Sequence, residues 1–303
     1  MAGEKANMTS AMSDNCCASA DGFSSARRPI SNPTLFDLAL PRTNIHPIVM
    51  HQNIPSRVAT TGGGSAPVGG DFQLYAVQFE YAFNERFSLV ATKDGYVDFN
   101  PDATLSEETG FANLAAGVKY AFVLQPEKQF ALSGSATIEI PTGNSDVTQG
   151  SGDGAINLIV STLKLSGDWQ FAGGAGLHLP FDRDAGSTTS FVSTHVSYEV
   201  NPYFIPLVEL NWYHVIDAGD GANRYGAQLG GALPGAIAFE GGDLLNWGAS
   251  NADENANIVT LAAGFRSRLS DDLSLGLAYE IPLTQKEENL MESRITLDAV
   301  FSF

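Results

Sequence analysis

From about residue 45 to the end of the 303-residue chain, apolar and polar residues alternate in long runs, and this constrains the fold more than any other feature. In 272–283, Leu273, Leu275, Leu277, Tyr279, Ile281 and Leu283 share one face, while Ser274, Gly276, Ala278, Glu280 and Pro282 share the other. The stretches 129–140 and 168–179 read the same way. The closing RITLDAVFSF sets Ile295, Leu297, Ala299, Phe301 and Phe303 against Arg294, Thr296, Asp298, Val300 and Ser302. Runs of about 10–13 residues exceed the usual five or six of a globular strand and match a tilted strand crossing a bilayer. The polar faces carry mostly Gly, Ala, Ser and Thr, which suits a crowded interior better than a solvated surface.

Twelve strands are expected, at 45–53, 71–83, 86–98, 111–122, 129–140, 154–164, 168–179, 190–200, 203–215, 256–267, 272–283 and 290–303. From the second strand onward their connections alternate in length. Short turns fall at 84–85, 123–128, 165–168, 201–202 and 269–272. Longer loops fall at 54–70, 99–110, 141–153, 180–189, 216–255 and 284–289. An up-and-down array would gather the short turns at one end, which is the asymmetry of outer-membrane barrels. Aromatic residues flank those turns: Tyr81, Phe83 and Phe87; Tyr120, Phe122 and Phe130; Trp169 and Phe171; Tyr198, Tyr203 and Phe204; and Phe265. A row of aromatics at one level is what a membrane interface selects.

Helical spacing fits only 235–248, GAIAFEGGDLLNWG, which is Gly-rich. No segment approaches the roughly 18 apolar residues of a spanning helix, so a membrane would have to be crossed by a closed barrel. The expected fold is therefore all-β: an antiparallel up-and-down transmembrane β-barrel of about twelve strands over 45–303. Residues 1–44 form an irregular leader or plug-like segment that includes the proline-rich RRPISNPTLFDLALPRT.

The formal charge is −18, from 34 acidic and 16 basic residues. Nucleic acid is a poor partner for such a chain, because binding it depends on Lys and Arg neutralising phosphates. Cys16 and Cys17 are adjacent in the polar leader, open to free thiols, a vicinal disulfide or lipidation, although SDNCC lacks the apolar residues that precede a lipidated cysteine. The first 25 residues show no apolar export signal, and a signal removed or lying upstream is expected to account for export.

The stretch ATIEIPTGNSDVTQGSGDGAINLIVSTLKL (136–165) resembles the outer-membrane proteins of the phenol-degradation meta-pathway family. A strand leaves through Pro-Thr-Gly, a Gly-rich loop follows, and GSGDGAINL begins the return strand. The resemblance implies a Gram-negative outer-membrane barrel that passes small, often aromatic, molecules. It assigns no residue roles.

If the apolar face meets lipid, the other face lines a lumen. Its ionisable residues are expected to be Glu80, Asp94, Lys119, Glu139, His178, His195, Glu199, Glu209, Arg266, Glu280, Glu292, Arg294 and Asp298. Acids outnumber bases there, which favours cations or neutral polar solutes. In a hairpin centred near residue 287, Glu280 and Arg294 would face each other as a cross-strand ion pair.

No G-x-S-x-G is present, and catalysis, cofactor and structural metal are not expected. A metal on His46 and His51, or Ca²⁺ on the acidic loops DAGDGANRYG and NADENAN, is the less favoured alternative. The preferred function is a passive outer-membrane channel or transporter for small molecules, through an acidic polar lumen gated by long loops. Its partners would be outer-membrane lipid, the barrel-insertion machinery and a small solute. Phe301 and Phe303 would act as an assembly signal read by that machinery. A secreted or surface β-sandwich or propeller binding carbohydrate or protein is the alternative, and a barrel-embedded hydrolase a weaker one.

Overall fold

The computed structural model describes residues 22–150, 152–220, 225–243, 245–247 and 256–303. Cys16 and Cys17 lie outside the described residues, as do parts of both acidic loops.

The strands are β1 (Asn44–Asn53), β2 (Arg57–Ala59), β3 (Ser65–Pro67), β4 (Asp71–Ala82), β5 (Phe87–Lys93), β6 (Tyr96–Asn100), β7 (Glu108–Phe111), β8 (Leu114–Gln125), β9 (Phe130–Ile140), β10 (Ala155–Ser166), β11 (Trp169–Pro180), β12 (Thr188–Tyr198), β13 (Ile205–Asp217), β14 (Asn257–Arg268), β15 (Leu273–Pro282) and β16 (Ser293–Ser302). Twelve of them form one antiparallel ring. β1 pairs with β4 on one side, from Asn44↔Glu80 to Asn53↔Asp71, and with β16 on the other, from Asn44↔Ser302 to Asn53↔Ser293. Because β1 has two hydrogen-bonded neighbours, the sheet has no free edge there.

β6 and β7 are extensions of the third and fourth barrel strands, while β2 and β3 make a separate hairpin in the first long connection. The expected strand at 86–98 is thus broken into β5 and β6. Gly95 sits in the break at φ +124°, and a Cβ there would lie 2.8 Å from both Leu74 Cδ1 and the Tyr75 carbonyl oxygen. The helix allowed by spacing over 235–248 reduces to a single turn, α1 (Leu233–Ala236).

The apolar faces point outward. Forty large apolar side chains are exposed among the described residues, Phe79, Val160, Leu277 and Ile295 among them. A soluble sandwich would bury these faces; a wall of this extent requires hydrocarbon. The short-turn end carries the expected aromatics in contact with one another: Tyr81–Phe83 at 5.1 Å, Tyr120–Phe122 at 5.6 Å, Trp169–Tyr198 at 4.8 Å and Phe204–Phe265 at 6.0 Å between ring centroids. A second set lies toward the long-loop end, where Tyr75 and Phe181 are exposed and Tyr96 packs on Phe111 at 5.4 Å. Two such levels bound an apolar band, as two interfaces require.

The interior is filled rather than hollow. Inward-facing Ile48, Met50, Phe72, Leu74, Val97 and Phe99 pack with Leu233, Ile237, Phe239 and Trp247, described residues of the connection after β13 that fold back into the barrel. The strict polar-inside pattern fails on β1, β4 and β6 because those residues meet this loop instead of water.

Replacing Leu277 by Arg in the middle of the outer wall is expected to destabilise the inserted barrel by about 2–4 kcal/mol, and Phe301→Arg at the rim by about 0–1 kcal/mol. Denaturant unfolding from lipid vesicles would measure both. Equal effects at the two positions would contradict the assignment of wall and rim.

Candidate functional site

Inside the ring, residues 22–43 run along the inner wall and meet it through hydrogen bonds and ion pairs. The Arg27 backbone N–H donates to Gln170 Oε1 at 2.7 Å, and its guanidinium pairs with Glu199 at 3.0 Å. The N–H groups of Ile30 and Ser31 donate to the Glu209 carboxylate at 3.0 and 2.7 Å. Asn32 donates to Ser193 at 3.2 Å, and the Pro33 carbonyl accepts from Gln78 at 2.9 Å. Asp37 is held between Arg28, at 2.9 Å, and Lys119. Apolar contacts add to these: Ile30 packs with Leu207, Ala262 and Ala278, and Phe23, Leu38 and Leu40 pack with Ala131, Leu163 and Leu165. The wall is shaped to receive the segment. A Cβ on Gly276 would lie 2.7 Å from Ile30 Cδ1.

Most of the residues expected to line a lumen do face inward, where nearly all are engaged. Glu80 pairs with Lys119 at 3.0 Å and accepts from Ser88 at 2.7 Å. Glu139 pairs with Lys93 at 2.5 Å, and His178 meets Asn157 at 2.8 Å. Glu199 bridges Arg27 and Arg268. Asp298 joins Arg266, at 2.7 Å, to His46, at 2.8 Å. Glu280 and Arg294 face each other in register and pair at 3.4 Å, with Asp243 of the long loop closing on Arg294 at 2.6 Å.

Two residues depart from the expectation. β5 bulges against β8 between Ala91 and Lys93, which reverses the facing of the residues that follow. Lys93 therefore turns inward to Glu139. Asp94 stays half-buried in the strand break, where its carboxylate accepts the Val77 backbone N–H at 3.0 Å. Glu292 lies in the connection before β16, exposed and paired with Lys286 at 3.0 Å, and does not reach the interior.

His46 and His51, five apart on one strand, fall on opposite faces. His46 is buried between Gln78 and Asp298, whereas His51 is half-exposed 4.0 Å from Asp71. Phe301 and Phe303 lie on the outer side at the short-turn end, 41 % and 76 % exposed.

Sequence periodicity missed Lys93, Arg268, Asp243, Glu240 and the four charges Arg27, Arg28, Asp37 and Arg42 of the N-terminal segment. With these added and Asp94 and Glu292 removed, nine acids stand against eight bases among the described residues engaged in the interior, while Asp153 and Asp182 lie at the mouth of the long-loop side. Within the barrel the acid excess expected from the strands alone is nearly cancelled.

One row has the order of a catalytic triad. His195 Nε2 lies 2.9 Å from Ser197 Oγ, and Nδ1 lies 2.7 Å from Glu209 Oε1. Acyl transfer would need the hydroxyl open to a substrate. Here Ser197 is 2 % exposed and accepts from Arg27 Nε at 3.2 Å, and Glu209 is occupied by the backbone of Ile30 and Ser31. The row holds the segment in place.

Glu240 in the long loop is 2 % exposed; burial pushes its carboxyl above the usual range, against the Ser187 hydroxyl bond at 2.6 Å that favours the charged form. A raised carboxyl pKa stabilises the folded loop at low pH, and that stability is lost as pH rises through the raised value.

Among the described residues, two cavities lie on opposite sides of the N-terminal segment. One, of about 130 Å³, is bounded by Thr34 and Leu35 and opens among the long loops. The other, of about 70 Å³, is bounded by Arg27, Arg28, Leu38 and Arg42 at the short-turn end.

A family model described as "Putative MetA-pathway of phenol degradation" matches residues 55–245. Among solved structures, an outer membrane channel from Pseudomonas putida F1 superposes with a TM-score of 0.60 at 14 % identity, covering 86 % of this chain and 96 % of that one. The NanC porin superposes with a TM-score of 0.50 at 8 % identity, covering 86 % of this chain and all of that one. At these identities the likeness is one of fold. No curated protein matches the sequence.

Arg294→Ala would leave Asp243 and Glu280 buried without their cation, and is expected to cost about 3–5 kcal/mol of barrel stability in the same unfolding assay. The protection of amides over 233–243, taken relative to their intrinsic exchange rates, should fall as pH rises above the ordinary glutamate range of about 4.3 and lose that pH dependence in Glu240→Gln. A pH-independent wild-type protection factor would refute the assignment to Glu240.

Proposed function

Because the chain belongs to the family described as "Putative MetA-pathway of phenol degradation", we propose that it is an outer-membrane channel for small molecules whose passage requires residues 22–43 to move. Its partners in this reading are outer-membrane lipid, the machinery that inserts barrels, and a small solute. One observation carries it: two polar cavities lie on the two sides of a segment that is joined to the wall through hydrogen bonds, ion pairs and packing. Each such bond contributes about 1 kcal/mol net, so the segment is held firmly as a whole yet can detach without breaking the barrel's own ladder.

The near balance of interior charge turns the expected cation preference toward small uncharged solutes. A net-acidic path would draw cations, but here Arg27, Arg28 and Arg42 offset the wall's carboxylates. The long loop narrows the same path at the other end, where Trp247 is fully buried against Phe99 and Phe239.

Ser31 Oγ accepts from Asn211 Nδ2 at 3.0 Å, so cysteines at the two positions would lie within reach of a short bis-thiol linker that itself contains a reducible disulfide. In a Cys16→Ser, Cys17→Ser background, the Ser31→Cys, Asn211→Cys pair is expected to give silent or small currents in planar bilayers when linked in the oxidised state, and larger openings after reduction. Identical currents in both redox states would exclude movement of the segment as the gate.

A further inference from the structure

We infer that the 130 Å³ cavity on the long-loop side of the N-terminal segment is a binding site for a small uncharged polyol. The inference deepens the channel reading by naming a solute class, and it rests on that reading for its physiological sense.

The wall at this level is built from neighbouring strands in register. Lys93 opposes Ala115, which opposes Glu139; Glu139 opposes Ala155; and Asn157 opposes His178, which opposes Thr189. Thr34 and Leu35 form the floor.

Most hydrogen-bonding capacity around the cavity is already used. Asn113 donates to Glu139 at 2.8 Å and accepts from the Gly143 and Gly150 N–H groups at 3.1 and 2.8 Å. Asn157 donates through Nδ2 to Thr137 at 3.5 Å, so its Oδ1 faces His178 Nδ1 at 2.8 Å. An amide oxygen can only accept; His178 Nδ1 therefore carries the proton, and in the neutral ring Nε2 is left as an acceptor. No described residue bonds that nitrogen, and His178 lines the cavity.

Two further groups have capacity to spare. The Thr148 hydroxyl is 3 % exposed, lines the same cavity and has no hydrogen-bond partner among the described residues. Lys93 uses one N–H on Glu139. An ammonium has three.

These groups define the ligand. An acceptor, a two-way hydroxyl and ammonium donors fit a molecule with several hydroxyls, each able to donate and accept. Charge is disfavoured because the ionised groups around the cavity are already engaged: Lys93 pairs with Glu139, Asp243 with Arg294, and Asp182 and Glu240 accept from the Ala185 N–H and the Ser187 hydroxyl, with Asp153 exposed at the rim, so an ion would have to split one of these contacts. Size follows from volume: an apolar cavity of about 150 Å³ holds one benzene, so this one admits a molecule of roughly four or five carbons. An aromatic ring would leave Thr148 and His178 unpartnered, at about 1–3 kcal/mol for each buried polar group.

Erythritol is the probe, with erythronate as its charged counterpart and phenol as its aromatic one. Binding is read by calorimetry on the detergent-solubilised full chain and by ¹⁵N NMR of labelled histidine. Erythritol should bind and shift the His178 Nε2 resonance. His178→Phe and Thr148→Val should each weaken binding about tenfold, the equivalent of one hydrogen bond, while His178→Gln retains an acceptor and should lose less. All three variants should still show the heat-modifiable migration of a folded barrel. Absence of erythritol binding, equal binding by His178→Phe, or preference for erythronate or phenol would overturn the site. Solute flux into proteoliposomes separates the two readings: binding without flux refutes the channel and leaves the site, and flux without binding refutes the site and leaves the channel.

Discussion

Everything in this protein depends on the closure of β1 against both β4 and β16. In hydrocarbon a backbone N–H or C=O cannot turn to water, so a sheet survives there only if its last strand finds its first. Asn44–Asn53 makes that seam, hydrogen-bonding along its length to Asp71–Glu80 on one side and Ser293–Ser302 on the other. With the edges gone, each strand has one face toward lipid and one toward the interior. The alternation of Leu, Ile and Phe with Gly, Ser and Thr follows from that division.

Closure at twelve strands creates a second problem. Eight strands enclose a space that wall side chains can fill, and sixteen enclose an aqueous pore. Twelve lie between, and this chain fills the remainder with its own segments by two different chemistries. Residues 22–43 are tied mainly to inward carboxylates and amides, with Phe23, Ile30, Leu38 and Leu40 packed beside them, whereas the connection after β13 packs Leu233, Ile237, Phe239 and Trp247 against the wall and adds the Asp243–Arg294 pair. A polar attachment can be exchanged for water at modest cost. Trp247 packed on Phe99 and Phe239 has no such substitute. On this ground the N-terminal segment, rather than the loop, is the proposed gate.

Interior charge follows the same logic. Buried carboxylates such as Glu80, Glu209 and Asp298 are tolerable because each has a cation or several donors beside it. The segment supplies part of that compensation, so releasing it would expose charged and polar wall to water along the path a solute would take.

What the sequence by itself determined was the barrel: strand number, which face is apolar, the short-turn end, and the Glu280–Arg294 pair. Periodicity and turn spacing are local properties written along the chain, and a cross-strand pair needs only the hairpin's register. The family likeness was legible too, in the 136–165 hairpin. What only the tertiary structure decided were events that period two cannot register. One bulge at Ala91–Lys93 reversed the facing of Lys93 and Asp94. Glu292 fell outside the strand that was expected to carry it inward. Arg27, Arg28 and Asp37 found partners 9 to 172 residues away in sequence, because an irregular segment has no pattern to announce where it will lie. The contents of the interior are set by long-range packing and charge compensation, which exist only once the ring has closed.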